Sequence, residues 1–240
     1  MKLNLLLAAA ASAAGLALGA SAAQAATVTV NASDDLYNLS GASLPGDSAV
    51  AINVTGLTSL TFSASTGATV TVNGGNYNDA DGAGSVSGEF NTGANGISGI
   101  TTSTAGFLAG TFVSGSPSPT APTALDFSGG TSFASLSPLL QQAFFIGDGL
   151  TGDATGATQT FYVPTGATTL FLGLTDACGY SGAPSCFSDN FGSFSVTTAR
   201  VATGAGMGGV PEPASWALMI AGFGGAGAAL RQRRRTPVFA

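Results

Sequence analysis

The 240-residue chain contains no histidine, and Lys2 is its only lysine. A Ser–His or Cys–His nucleophilic pair therefore cannot be assembled, and the body of the chain has no lysine base. Positive charge is scarce throughout: six Lys and Arg stand against twelve Asp and Glu, for a net charge of −6. Between residues 26 and 210, Arg200 is the single basic residue against eleven acidic ones. That balance argues against a nucleic-acid partner, because phosphate neutralisation needs clustered Lys and Arg. It favours cations and solubility instead. Two cysteines occur, Cys178 and Cys186, and without histidine they cannot complete a thiolate metal site. Also missing between residues 26 and 209 is any stretch of helical periodicity long enough to form a substantial helix.

What is present alternates. In Val50, Ile52 and Val54, in Leu60 and Phe62, and in Val70 and Val72, large apolar residues recur every second position. That period places them on the buried face of a sheet. Thr27–Val30 alternates in the same way. Further strand-like runs lie at 107–113, 143–146, 160–163, 170–174 and 191–196, with Phe194 and Val196 on one face. Gly56 and the stretch 65–67 mark turns. Residues 74–100 are rich in Gly and Asn and read as a long loop. Residues 137–142 are expected to form one short helical turn, and Gly147-Asp148-Gly149 reads as a type I′ turn. Many short strands with Gly-rich turns predict an all-β sandwich or jelly roll over 26–200, followed by a Gly-rich linker at 201–210.

Both ends carry different signals. The start has one positive charge, an Ala-rich apolar stretch and then Ala23-Gln24-Ala25. This is the layout of a signal peptide over 1–25, cleaved by signal peptidase after Ala25. An exported compartment predicts a disulfide between Cys178 and Cys186, eight positions apart. Near the C-terminus, Pro211-Glu212-Pro213 is followed by Trp216, an uncharged run to Leu230, and Arg231, Arg233, Arg234 and Arg235. As a helix, 216–230 would span roughly 22 Å, short of a ~30 Å hydrocarbon core. Trp216 suits one interface and the arginines, which mark the cytoplasmic end, can snorkel at the other. Residues 236–240 would form a short cytoplasmic tail.

Residues 211–235 closely resemble the PEP-CTERM sorting signal of bacterial surface proteins, in its PEPxxWA form. The resemblance implies an exosortase as processing partner and transient anchoring in the inner membrane. It further implies cleavage near Pro211–Pro213 and delivery to the cell surface, typically alongside exopolysaccharide. Gln232 interrupts the arginine run, and Thr236 to Ala240 trail past it.

Carboxylates and amides are the remaining chemistry. Asp79-Ala80-Asp81-Gly82 looks like part of an EF-hand loop, but aligning Gly82 with the loop glycine puts Tyr77 and Gly88 at ligand positions they cannot fill. It is read as a solvated Asx turn. A second pattern is more informative. A strand ending in Asp176, a loop, Asp189-Asn190 and then Gly192-Ser193-Phe194-Ser195-Val196 resembles the C-terminal part of the calcium-dependent galactophilic LecA-type lectins, which are small jelly-roll β-sandwiches. The resemblance implies that Asp176, Asp189 and Asn190 help hold a Ca²⁺ that contacts sugar hydroxyls. The loop here is longer than the lectin pattern and carries its own cysteine pair. The expectation is a non-enzymatic surface or matrix protein that binds Ca²⁺ and, through it, exopolysaccharide. The alternatives are a structural matrix protein without a specific ligand and a glycoside hydrolase working through a carboxylate pair.

Overall fold

A computed structural model describes residues 24–39, 44–65, 67, 69–75, 78–82, 88–115 and 118–202. Residues 1–23 with Ala23 lie outside it, and so does the whole sorting region with Pro211, Glu212, Pro213, Trp216 and the four arginines. Among the described residues no helix is long and apolar enough to cross a membrane. Strands dominate, and the only helical pieces among the described residues are two 3-10 turns, Cys178–Tyr180 and Phe187–Asp189.

One sheet is built on the pairing of the first and last described strands. Gln24–Asn31 runs antiparallel to Phe191–Ala202, from Gln24 opposite Arg200 to Asn31 opposite Ser193. Val30 faces Phe194 and Val28 faces Val196, so the two-residue period of both strands points into the same core. The sheet continues through Leu57–Ser63 and Thr160–Tyr162 to the short Ser135–Leu136 strand. The second sheet centres on Thr169–Leu174, with Leu108–Val113 antiparallel on one side and Val50–Asn53 on the other. Ala143–Phe145 closes one edge, and Asp34–Asp35 with Asp47–Ser48 adds to the other. Leu108–Val113 is buried at all six positions, Gly110 and Thr111 included, which explains why it shows no alternation of apolar and polar residues.

The two sheets share one apolar core. Phe161 of the first meets Phe62 edge-on at 5.1 Å and Phe144 of the second at 5.6 Å between ring centroids. Such offset and edge-on contacts add to the gain from burying each ring. A third sheet contains Leu125–Phe127, Ile97–Thr102, Glu89–Ala94 and Ser181–Gly182.

Three local expectations are corrected. The stretch 74–100 is not one loop: its second half is the hairpin Glu89–Ala94 with Ile97–Thr102. Asn95 and Gly96 turn it with φ of 53° and 76°, the left-handed pair that a tight hairpin requires. Residues 137–142 form no helical turn; Gln141 sits at φ 62°. Its side chain donates to the carbonyls of Gly96 and Ser118, each at 2.7 Å. Tertiary hydrogen bonds thus decide that segment over local propensity. Asp148 does not adopt the positive φ a type I′ turn demands, although Gly147 and Gly149 on either side do. Its carboxylate instead accepts the N–H groups of Leu150 and Ala154, both at 2.8 Å.

Candidate functional site

The site grows from the end of the central strand Thr169–Leu174. Leu170, Leu172 and Leu174 are fully buried. At its last residue the strand also touches Asp35 in parallel register, and the Leu36 N–H donates to the Leu174 carbonyl at 3.0 Å. Backbones approach closely here. A Cβ on Gly173 would stand 2.6 Å from the Asp34 carbonyl oxygen, so only glycine fits. The chain then leaves the sheet through Thr175 and Asp176.

The loop that follows is held at several points. Cys178 and Cys186 are bonded, with Cα atoms 5.2 Å apart. The Asp176 carbonyl accepts the Asn91 side-chain amide and the Ser185 N–H, each at 3.0 Å. Ser185 Oγ accepts the Cys178 N–H at 3.0 Å. Phe187 is buried in the core and anchors the return to Asn190 and the last strand. These contacts fix both ends of the loop, and with them Asp176 and Asp189.

Asp176 and Asp189 line the same cleft, of about 150 Å³, together with Asn73, Tyr180 and both cysteines. Asn73 Nδ2 donates to Tyr180 Oη, and the Asp189 carbonyl accepts the Gly74 N–H at 3.1 Å. Asp176 is 4 % exposed. Burial pushes its carboxyl up to about 6; the Asn190 side chain and the Ala177 N–H favour its charged form, while Asp189 and Asp35 oppose it. Asn190 is buried, its Nδ2 donates to the Ala32 carbonyl at 3.2 Å, and its Oδ1 has no partner. The fold therefore places the three sequence-derived residues together: two carboxylates in one cleft and an amide beside the first. An unpartnered amide oxygen next to a buried carboxylate is chemistry that suits a hard cation. Among the described residues, no three His, Cys, Asp or Glu side chains are grouped to hold a metal ion, so the candidate set consists of these two acids and neutral oxygens.

Sequence reasoning missed the residues behind the cleft. Asp35 is fully buried, with Oδ1 accepting the Tyr37 N–H at 2.8 Å and Oδ2 unpartnered. Burial raises its carboxyl to about 6, partly offset by that N–H. Glu89 is 2 % exposed and neither carboxyl oxygen has a hydrogen-bond partner. Burial holds it well above the usual carboxylate range, and the charge of Asp176 adds to this. The one signal available was that Glu89 is the sole glutamate between residues 26 and 210.

A second acidic group lies elsewhere. The Asp148 N–H donates to Asp81 Oδ1 at 2.9 Å, and the Asp81 N–H donates to Asp79 Oδ1 at 3.0 Å. Burial raises the Asp81 carboxyl to about 6; the Asp148 N–H offsets this, and the negative charges of Asp148, Asp79 and Asp153 reinforce it. These carboxylates take up backbone N–H groups and latch two loops together.

No curated protein and no solved structure matches the chain. One comparison is positive, and it concerns the C-terminal region, two residues longer than the stretch singled out from the sequence. Residues 209–235 match the PEP-CTERM protein-sorting motif, which implies a membrane-anchored sorting signal, processing by an exosortase, and export of this β-rich chain to the cell surface.

Proposed function

We propose that the exported domain is a non-enzymatic surface or extracellular-matrix module with a LecA-like jelly roll. It binds Ca²⁺ through Asp176, Asp189 and Asn190, and through that ion a carbohydrate such as exopolysaccharide. The observation that carries this reading is the meeting of Asp176 and Asp189 in one cleft, with the side chain of Asn190, whose Oδ1 is unpartnered, next to Asp176. Calcium takes oxygen ligands from carboxylates, amides and backbone carbonyls, and this end of the fold offers those donor types. The absence of histidine from the chain and of lysine from the domain supports a binding role over nucleophilic catalysis.

The test is a calcium titration of the purified full chain followed by a glycan array with and without Ca²⁺. Calcium binding weakened in Asp176→Asn, together with calcium-dependent glycan capture, is the expected result. Calcium binding without glycan capture leaves a structural ion and removes the carbohydrate reading. Turnover of glycosides would favour the hydrolase alternative.

A further inference from the structure

Behind the cleft, the fold leaves more buried oxygen than it satisfies. Both Glu89 carboxyl oxygens, Thr175 Oγ1, Asn190 Oδ1 and Asp35 Oδ2 lack hydrogen-bond partners, and all four residues are at least nine-tenths buried. They form a connected group around Asp176. The side chains of Thr175 and Asn91 lie near enough to Glu89 to favour its charged form, without closing a hydrogen bond. Glu89 and Asp176 repel each other, Asp35 repels Asp176, and Asn190 supports it. Tyr37, fully buried with its own hydroxyl unpartnered, feels the charges of both Glu89 and Asp35.

Buried polar atoms in folded proteins are nearly always paired, and an isolated buried carboxylate is costly. The single basic residue of the domain does not help. Arg200 stands ten residues beyond Asn190 along an extended strand, about 30 Å away. Protons resolve the surplus only in part: most of the orphan atoms are acceptors, and each proton taken up supplies a single donor. A single cation satisfies several acceptors at once.

We propose that Glu89 and Thr175, together with Asp176 and Asn190, hold a Ca²⁺ ion on the inner side of the cleft. The donor set is all oxygen, as calcium requires: two carboxylates completed by a hydroxyl and an amide. It is compatible with the absence, among the described residues, of any three-acid metal cluster. Asp35 contributes charge from behind. The assignment rests on the reading of Asp176 and Asn190 as calcium ligands, and it moves the ion inward and adds two ligands.

The test titrates the metal-stripped full chain with CaCl₂ by calorimetry, beside Glu89→Gln, Thr175→Val and Asp189→Asn. Glu89→Gln is expected to weaken binding by about tenfold or more, because ligand charge sets calcium affinity. Thr175→Val should weaken it less, and the metal-free melt of both variants should be no lower than that of the parent. A parent chain that binds no Ca²⁺ overturns this assignment and the cleft reading together. Binding weakened by Asp189→Asn but untouched by Glu89→Gln and Thr175→Val overturns the inner site alone. Binding weakened by Glu89→Gln but not by Asp189→Asn supports the inner site and removes Asp189 from the ligand set. If Glu89→Gln fails to fold, Tb³⁺ luminescence decides: emission lost in Tyr37→Phe supports the inner site, and emission lost only in Tyr180→Phe overturns it.

Discussion

The disulfide between Cys178 and Cys186 sets the spacing of two acids: Asp176 precedes the first cysteine by two residues, Asp189 follows the second by three, and all four line one cleft. Closing a loop this short restricts the unfolded chain by about 2.5 kcal/mol. The Cys178→Ser, Cys186→Ser double variant should therefore melt several degrees lower. If the cleft binds calcium as proposed, its affinity should also fall, because Asp189 is no longer held against Asp176. Denaturant melts and calorimetry on the same sample check both.

Phe161 joins the two sheets, and Tyr162 beside it is half exposed. Phe161→Ala should cost about 3–5 kcal/mol, the range for deleting a fully buried ring. Tyr162→Ala should cost within about 0.5 kcal/mol, as for most surface changes. Urea melts of the two variants provide a direct comparison of core and surface on adjacent residues.

Metal-free protein should become less stable as pH rises from 4 to 7. Asp35, Asp81 and Asp176 each titrate near 6 in the folded chain, raised chiefly by burial, and Glu89 is raised as well. Between the ordinary carboxylate range and about 6, the unfolded chain has released protons that the folded chain keeps. Folding therefore loses free energy as these protons leave. Thermal melts in a chelator across that range should show a falling midpoint. On the calcium proposal, excess Ca²⁺ at pH 7 restores it, by about 2.7 kcal/mol at a hundredfold over the dissociation constant.

Gly96→Ala should destabilise by more than about 1 kcal/mol, because the residue occupies the left-handed region. An added Cβ there would also stand 2.1 Å from the Ser118 carbonyl oxygen. A lower melting temperature than that of Gly129→Ala, where nothing lies within 4 Å, would separate backbone strain from a general effect of losing a glycine.

At the chain ends, mass spectrometry of the exported protein should find an N-terminus at Ala26 and no residues beyond roughly Pro213. An intact arginine cluster in the secreted form would contradict processing at the sorting motif. Cleavage after Ala25 would trim two residues, Gln24 and Ala25, from the strand that pairs with Ala199 and Arg200.

The strands at 50–54, 60–62 and 191–196 were legible because alternation at Ile52, Leu60, Phe62, Phe194 and Val196 is a direct imprint of a buried face. The hairpin at 89–102 was hidden by its composition. Gly and Asn make up five of its fourteen residues and interrupt the alternation, and the informative pair Asn95-Gly96 is only two residues long. The segment around Gln141 could not be read locally, since the partners that shape it are Gly96 and Ser118. Within the site, Asp176, Asp189 and Asn190 were visible as Asx residues flanking a loop. Asp35 and Glu89 were not: an acidic side chain ordinarily marks solvent, and only the packing of three sheets puts these two inside.

The antiparallel pairing of Gln24–Asn31 with Phe191–Ala202 has a consequence for how the domain stands on a cell. Because the two strands run in opposite directions, the chain enters and leaves at the same pole, beside Gln24 and Ala202. The opposite pole, where Asn31 lies across from Ser193, is next to Asn190 and the cleft. Seven residues of strand separate the poles, about 23 Å. The sorting motif follows Ala202 in the chain, so the strand leading to it leaves the domain at the pole opposite the cleft.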